Sequence, residues 1–424
     1  MSLSSSNLPA VFRPTIPKTY EELAIPESLV IDLVLRRLMM EGFSSLKSLS
    51  ASLRLSLQVV DLAFRHLRAQ QLLEVKGMVG NDYQFVLSQA GKQMASDRFQ
   101  ISQYAGAAPV SLKEYSRAVR MQSARVQIDR KALRAAMSDL IVTDRLLDQL
   151  GPALISQSSI FLYGPSGNGK TSLAERMLRV YQDAVLIPWA VEVDNQVISL
   201  YDPVVHTRLD LDDPDVDPRW ILCRRPCIVV GGELVPSMLE MRLDDSTGIY
   251  AAPLQMKANN GIFIIDDFGR QLMSPRDLLN RWIVPLDRRV DYLSLRYGVK
   301  FQIPFELMVV FSTNLDPADL ADDAFLRRIH NKILIEPVDP QSFDMIFQRV
   351  VSAKRIPVEG NAAEYLRQLC RAHGREELRA CYPSDICNII TAISDYEKRP
   401  VRMGRQDLER AVELYFAKSE AHAH

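Results

Sequence analysis

The strongest constraint on the fold is a glycine-rich segment at residues 160–172, IFLYGPSGNGKTS. It satisfies the pattern G-x-x-x-x-G-K-[ST] through Gly164, Gly169, Lys170 and Thr171. An apolar strand pattern precedes the segment and a helical pattern follows it, which is the setting that a phosphate-binding loop requires. We therefore expect an α/β fold with a parallel sheet and with this loop at the end of one strand.

The residue types of the loop predict how a nucleotide is held. Glycines let backbone N–H groups turn toward phosphate oxygens, and the start of the following helix adds its dipole. We expect Lys170 to contact the β- and γ-phosphates and the Thr171 hydroxyl to ligate Mg²⁺. The predicted ATP-binding residues are Gly164, Pro165, Ser166, Gly167, Asn168, Gly169, Lys170, Thr171 and Ser172.

Two later strand patterns end in polar residues that suit the same chemistry. GIFIIDDFGRQ, at 261–271, is an apolar strand followed by two aspartates. In P-loop enzymes a carboxylate at this place holds the magnesium, so we predict Asp266 as a metal ligand. Asp267 is predicted to polarise the attacking water. Asn314, at the end of LMVVFSTN, is expected near the γ-phosphate. The alternative for each is a simple turn or cap at a strand end.

A pair of arginines follows in DDAFLRRIHNK, at 322–332. An arginine that one subunit presents to its neighbour's ATP stabilises charge that develops in the transition state. Arg328 is the first candidate for this role and Arg327 the second. The alternative is that both are surface arginines.

Composition excludes some classes of protein. Apolar residues make up 47% of the chain, and 51 basic residues nearly balance 52 acidic ones, which argues against a globally electrostatic binder of nucleic acid or membranes. No apolar run approaches the length of a membrane span, and no signal-like segment begins the chain. We expect a cytoplasmic protein whose five cysteines are structural thiols.

The pattern along the chain predicts an extended arm at 1–25, a compact domain at 26–98 and a connector at 99–136. An α/β nucleotide-binding subdomain is expected at 137–338 and a helical lid at 339–424. Within 26–98 the expected order is helix, helix, helix and hairpin, which is the order of a winged helix-turn-helix.

The role of the winged-helix-like domain is open at this point. Its third helix could contact DNA through Gln58, Arg65 and Arg68. However, residues 27–98 contain nine Lys and Arg residues against seven Asp and Glu, a weak balance for a DNA-binding domain. The alternative is a surface that docks another protein.

In motif order, spacing and helical tail, residues 137–420 resemble AAA+ ATPases. APLQMKANNGIFIIDD, at 252–267, is similar to the corresponding segment of magnesium chelatase and MoxR-type ATPases, and so is Arg270 followed by DLLNRWIVPLDRR. The resemblance implies an oligomeric ring that hydrolyses ATP to remodel a protein client. It also implies a helix inserted at about 233–257, with Tyr250 as a candidate aromatic contact for the client.

Two departures from the family pattern leave other functions open. The family usually has Glu where this chain has Asp267, and it usually has an arginine of the lid where Ser384 stands. Arg379 or Arg375 could replace that arginine. The alternatives are therefore an ATP-binding switch with little turnover, or a DNA-linked ATPase such as a loader or transcriptional regulator.

Overall fold

The computed structural model describes residues 12–123, 128–211, 213–320, 323–373 and 375–416. These residues form two compact units. The first unit draws on Met1–Val126, Tyr181–Ile264 and Arg270–Val309. The second draws on Gln127–Val180, Ile265–Gly269 and Val310–His424.

The N-terminal stretch of the first unit is helical, with a small antiparallel sheet. Its elements are α1 (Tyr20–Leu23), α2 (Glu27–Glu41), β1 (Ser44–Ser45), α3 (Leu46–Leu53), α4 (Leu57–Ala69), β2 (Leu73–Val79), β3 (Asp82–Leu87), α5 (Gln89–Ile101), β4 (Val110–Ser111) and α6 (Leu112–Met121). Ser45 and Ser56 cap α3 and α4 by accepting backbone N–H groups. The predicted order of three helices and a hairpin is confirmed in α2, α3, α4 and β2–β3.

The chain then enters the second unit and returns to the first. The elements up to residue 180 are α7 (Arg130–Ala136), α8 (Asp144–Ser156), β5 (Ile160–Tyr163) and α9 (Lys170–Met177). Those from 184 to 304 are β6 (Ala184–Pro188), β7 (Ala190–Val193), β8 (Gln196–Ser199), β9 (Trp220–Arg224), β10 (Cys227–Val230), β11 (Arg242–Asp244), β12 (Ile249–Ala251), α10 (Leu254–Lys257), β13 (Ile262–Ile265), α11 (Pro275–Arg288), β14 (Val290–Ser294) and β15 (Lys300–Pro304).

The remaining elements belong mainly to the second unit. They are β16 (Met308–Thr313), α12 (Pro317–Leu320), α13 (Asp323–Leu326), β17 (Asn331–Leu334), α14 (Pro340–Lys354), α15 (Ala362–Ala372), α16 (Tyr382–Tyr396) and α17 (Arg405–Tyr415). The last four helices share an apolar core that includes Phe343, Leu366, Ile386 and Leu408. The helical tail expected from the sequence is confirmed.

A parallel sheet with the strand order β10-β13-β16-β5-β17 is the frame of the fold. Ile160, Phe161 and Leu162 of β5 are fully buried, and every residue of β16 is buried. Such continuous apolar strands are typical of parallel sheets that are covered on both faces. The expected α/β P-loop fold is therefore confirmed, and the carboxyl ends of the strands meet at one edge.

The expectation of an inserted helix at 233–257 is wrong. This stretch holds a 3₁₀ turn at Pro236–Leu239, the strands β11 and β12, and the four-residue helix α10. Tyr250 lies in β12, where its side chain is only 3% exposed and its hydroxyl accepts a hydrogen bond from the backbone N–H of Arg296 at 3.1 Å. A side chain packed in this way is not available to contact a client.

No helix in the described part of the chain is both long and apolar enough to cross a membrane.

Candidate functional site

The phosphate loop connects the end of β5 to the start of α9, within the second unit. Gly169 occupies the N-cap of α9 with a φ of 80°, in the left-handed region that favours glycine. Gly167 has a φ of 82°, and a Cβ on it would lie 2.6 Å from Cys381 Sγ. The glycines therefore serve both the backbone turn and a close approach of another segment.

Lys170 is the first residue of α9, and its side chain is buried within the loop. Its ammonium group donates hydrogen bonds to the carbonyl oxygens of Gly164 at 2.8 Å and Pro165 at 3.0 Å. Burial lowers the pKa of Lys170, while the carboxylates of Asp266 and Asp267 oppose that shift. The loop thus holds one cation where incoming phosphate oxygens would meet backbone N–H groups.

Thr171 and Asp266, the two predicted metal ligands, are in contact at the edge of the sheet. The Thr171 hydroxyl donates a hydrogen bond to Asp266 Oδ2 at 2.7 Å. Adjacent oxygen ligands of an octahedral Mg²⁺ at about 2.1 Å lie about 3.0 Å apart, so the two oxygens are close enough to occupy neighbouring positions on this ion. A hydroxyl and a carboxylate, completed by waters and phosphates, also form the hard oxygen set that Mg²⁺ prefers.

Asp267 follows at the surface and lines the same cavity as Asp266. Its backbone is left-handed, with a φ of 48°. Aspartate and asparagine tolerate this conformation better than longer side chains do, because their short polar groups bond locally. The local backbone therefore gives a physical reason for Asp rather than Glu at this position.

Asn314 lies beside the start of the phosphate loop but outside the cavity lining. It directly follows β16, whose last residue, Thr313, pairs with Tyr163 at the end of β5. Gly164 and Asn314 are therefore neighbours at the carboxyl edge of the sheet. Asn314 is half-buried and is not among the described residues that line the cavity.

Arg327 and Arg328 come just after α13, in the second unit. Arg327 is exposed and Arg328 is half-buried. Neither is among the described residues that line the cavity. An arginine that acts on a neighbouring subunit need not touch its own cavity, so their roles stay predictions.

A cavity of about 720 Å³ opens beside the loop, and part of its wall was not foreseen from the sequence. The unforeseen apolar lining includes the half-buried Leu140, Ile141, Val142, Leu146, Ile346 and Val350. These side chains come from the segment before α8, from α8 itself and from α14. A flat apolar ring, such as a purine base, suits such a wall. The apolar run at 140–142 ahead of the N-cap Thr143 was the one available signal in the sequence.

The segment that begins this wall is tied to the helix of the phosphate loop. Asp139 accepts hydrogen bonds from Arg179 at 2.6 Å and from Arg176 at 3.1 Å. The bond from Arg179 is the main cause that lowers the pKa of the Asp139 carboxyl. Because Arg176 lies on α9, these hydrogen bonds connect the helix of the phosphate loop to the segment that begins the apolar wall.

The segment just before α16 contacts the phosphate loop directly. The backbone N–H of Ala380 donates to Asn168 Oδ1 at 3.1 Å, and the N–H of Cys381 donates to the carbonyl of Gly167 at 2.9 Å. Arg379 Nη1 donates to Ser166 Oγ at 3.2 Å. The helical tail is thus attached to the phosphate loop itself.

The two arginines considered as replacements for the lid arginine, Arg379 and Arg375, have different surroundings. Arg379 reaches the phosphate loop, whereas the Arg375 guanidinium lies over the ring of Phe416, 5.5 Å from its centroid. Ser384 is on α16, which begins at Tyr382. Of the two, Arg379 is the arginine that contacts the phosphate loop.

Comparisons with known proteins give a partial match in sequence and weak matches in structure. A family model described as a domain of unknown function (DUF8689) matches residues 339–414, which hold α14 to α17. No curated protein matches the chain. The structure is similar to the RuvB Holliday junction branch migration motor of Thermotoga maritima at 14% identity and a TM-score of 0.37, over 69% of this chain and 72% of that one.

A second similar structure is NtrX from Brucella abortus in complex with ATP. Its identity is 13% and its TM-score is 0.40, over 69% of this chain and 60% of that one. At such identities and TM-scores, the geometry of the cavity remains the basis for any statement on function.

Proposed function

We propose that the protein is an AAA+-type ATPase that binds ATP and Mg²⁺ in the cavity of its second unit and hydrolyses the nucleotide. The observation that carries this proposal is the 2.7 Å hydrogen bond between Thr171 and Asp266, beside the buried ammonium group of Lys170. These groups come from segments nearly a hundred residues apart. A glycine turn without a ligand would not need this carboxylate.

The residues in and around the cavity have separate tasks in the proposed reaction. Lys170 and the loop N–H groups bind and neutralise the phosphates, while the apolar wall around Ile141 and Ile346 holds the base. When bound, Mg²⁺ would be held by Thr171 and Asp266 and would supply positive charge to the phosphate oxygens. Asp267 accepts a proton from the attacking water, and Asn314 orients that water.

Two variants separate binding from turnover. Lys170→Ala is expected to abolish ATP binding in calorimetry, because the cation for the phosphates is lost. Asp267→Asn is expected to retain binding and to lose hydrolysis by ~100-fold or more, the scale of a positioned general base. Asparagine also tolerates the left-handed backbone at this position, so the fold should be kept.

The same pair of variants decides between an enzyme and a switch. Steady-state phosphate release that Lys170→Ala and Asp267→Asn both eliminate would support an ATPase. Tight ATP binding by the wild type without release above the rate of either variant would instead identify a nucleotide-binding switch.

We further propose that ATP lies between subunits of an oligomer, with Arg328 supplied by the neighbour. The position of Arg328 outside its own cavity supports this arrangement, since a finger that acts in trans projects from another surface. The specific rate of hydrolysis should then fall on dilution. A rate per subunit that is constant across the dissociation range would contradict a shared site.

A protein client is the proposed target of the hydrolysis. With Tyr250 buried, the exposed aromatics nearest in sequence to the acidic strand are Tyr292 and Tyr297 of the β14–β15 hairpin, 53% and 86% exposed. Tyr297 occupies the tight turn that links the two strands. A photo-crosslinking residue at 297 in the Asp267→Asn variant should give ATP-dependent adducts, and one at 250 should give none. Adducts that do not depend on ATP would count against this role.

DNA contact by the N-terminal helices has less support. Arg65 is paired with Asp61 at 2.6 Å, and Lys76 is paired with Glu74 at 2.7 Å. The hairpin tip exposes Met78 and carries no cation between Gly77 and Asp82. Salt-dependent binding of a duplex by the full chain would restore the DNA-linked alternative.

A further inference from the structure

A second cavity lies in the N-terminal part of the first unit, where α3, α4 and the β2–β3 hairpin meet. Its volume is about 280 Å³. The lining consists of Leu46 and Lys47 from α3, Leu57, Gln58 and Asp61 from α4, and Asn81 and Asp82 from the hairpin. It therefore combines apolar walls with two carboxylates.

Asp82 is the unusual member of this lining. Its side chain lies at the first position of β3 and is only 9% exposed. Its Oδ1 atom is buried and has no hydrogen-bond partner among the residues that the structure describes. A buried carboxylate oxygen without a partner destabilises a fold, and an amide at this place would support the same turn without a charge. The carboxylate is therefore better explained by a partner from outside the chain.

The cations of the domain do not supply that partner. Arg65, the nearest arginine on α4, is bonded to Asp61. Lys47 lines the cavity but is exposed, and among the described residues no Lys or Arg forms an ion pair with Asp82. The helices α3 and α4 both begin at this cavity. The site thus presents two carboxylate side chains to whatever enters.

The surroundings of the cavity specify the rest of the occupant. Leu57 is 46% exposed and Leu62 is 37% exposed on α4, while Met78 and Val79 at the hairpin tip are 53% and 64% exposed. Carboxylates repel the phosphates of nucleic acid, whereas an exposed apolar rim suits a protein. A methionine in such a rim adapts to the side chain that it meets.

We propose that this cavity is a docking site for a protein segment that inserts an arginine or lysine between Asp61 and Asp82 and places an adjacent apolar side chain on the hairpin tip. The guanidinium or ammonium group pairs with the carboxylate of Asp82, which lines the cavity. This site goes beyond the proposed ATPase activity and does not depend on it.

The test uses the full chain with ¹³C-labelled leucine methyl groups and two dipeptide probes. Acetyl-arginyl-leucine amide should shift the methyl signals of Leu46 and Leu57 in a saturable way. Acetyl-citrullyl-leucine amide has nearly the same shape without the charge, and its affinity should be at least tenfold weaker. Equal shifts from both probes, or no shifts from either, would overturn the proposal.

Variants locate the interaction. Asp82→Asn should weaken binding of the arginine probe at least tenfold, whereas Asp97→Asn, at an exposed position on α5, should not. Asp82→Asn should also keep or raise the melting temperature, since it removes a buried charge. If that variant fails to fold, Asp61→Asn takes its place and should also weaken binding of the arginine probe, and the comparison of the two probes on the wild type remains as a test. Stronger leucine shifts from a DNA duplex than from the arginine probe would identify a nucleic-acid surface and refute the docking site.

Discussion

Gly167 illustrates how a single residue meets two constraints at the candidate site. Its φ of 82° disfavours any side chain, and a Cβ would approach Cys381 Sγ to 2.6 Å. We expect Gly167→Ala to lower the free energy of unfolding by about 1–2 kcal/mol from the backbone alone. It should also weaken ATP binding, because the loop must move to relieve the contact. Calorimetric titration with ATP and chemical unfolding measure the two effects.

The chain contains a matched control for this substitution. Gly360 has a φ of 61°, and a Cβ there would meet nothing within 4 Å. Gly360→Ala should therefore cost similar stability and leave ATP affinity unchanged. Wild-type ATP affinity in Gly167→Ala would contradict the structural account of the loop.

A buried imidazole in the first unit predicts a pH dependence of stability. Asp202 N–H donates to His206 Nδ1 at 3.0 Å, and His206 Nε2 lies 2.9 Å from the carbonyl of Lys257, so the ring is neutral with its hydrogen on Nε2. Burial is the main cause that lowers the pKa of His206 below its usual 6.5. The unfolded state then binds the proton more readily.

The stabilisation from neutral His206 is present above pH 6.5 and is lost as the pH falls through the lowered pKa. As the pH falls in this range, we expect the free energy of unfolding of the wild type to decrease by up to about 1.4 kcal/mol per pH unit more than that of His206→Gln. Urea unfolding between pH 5 and 8 measures the difference, with the exposed His330→Gln as control. Parallel pH curves for the wild type and His206→Gln would refute the assignment.

At the level of residues, the sequence predicted the phosphate loop and its neighbouring carboxylate better than the apolar wall of the cavity. Lys170 and Thr171 are fixed by a local pattern whose spacing has one structural solution. The pairing of Thr171 with Asp266 could also be expected, because parallel strands end at a common edge. The apolar wall could not, since Ile141 and Ile346 are about two hundred residues apart and carry no pattern beyond that of ordinary core residues.

At the level of elements, periodicity predicted helices well and insertions poorly. The helices of the tail repeat apolar residues at helical spacing, and α14 to α17 lie within the stretch 339–424 that was expected to be helical. The stretch 233–257 was expected to be helical from a family resemblance alone. Its own residues favour another structure, because Gly248 makes a turn and Ile249–Ala251 pairs with β8 as a strand.

The attachment of the helical tail to the phosphate loop is also testable at this level. Asn168→Ala removes the acceptor for the Ala380 N–H, a contact of about 1 kcal/mol. We expect faster hydrogen exchange in the segment just before α16 and a several-fold loss of ATP affinity. The control is Asn388→Ala on α16, because the Asn388 side chain accepts a hydrogen bond from Lys354 and not from the loop. Unchanged exchange at Ala380 would mean that this bond does not hold the tail.

At the level of the whole molecule, the described residues that line the cavity beside the phosphate loop all belong to the second unit. Arg328 belongs to the same unit but is not part of that lining. If the reaction needs Arg328, the oligomer must bring it to the cavity of another subunit. That requirement makes the assembly, rather than the single chain, the catalytic entity.

A mixing experiment tests this requirement. Lys170→Ala subunits cannot bind ATP but retain Arg328, while Arg328→Ala subunits bind ATP without the neighbour's arginine. Each pure variant should be inactive. In an equal mixture that assembles at random, about a quarter of the interfaces combine an intact Lys170 with an intact Arg328, so about a quarter of the wild-type rate should return. Replacing Arg328→Ala by Arg327→Ala shows which arginine is used, since only the true finger variant is inactive alone. A mixture that stays inactive would place all catalytic groups within one subunit. Full activity in Arg328→Ala alone would assign the finger to another residue.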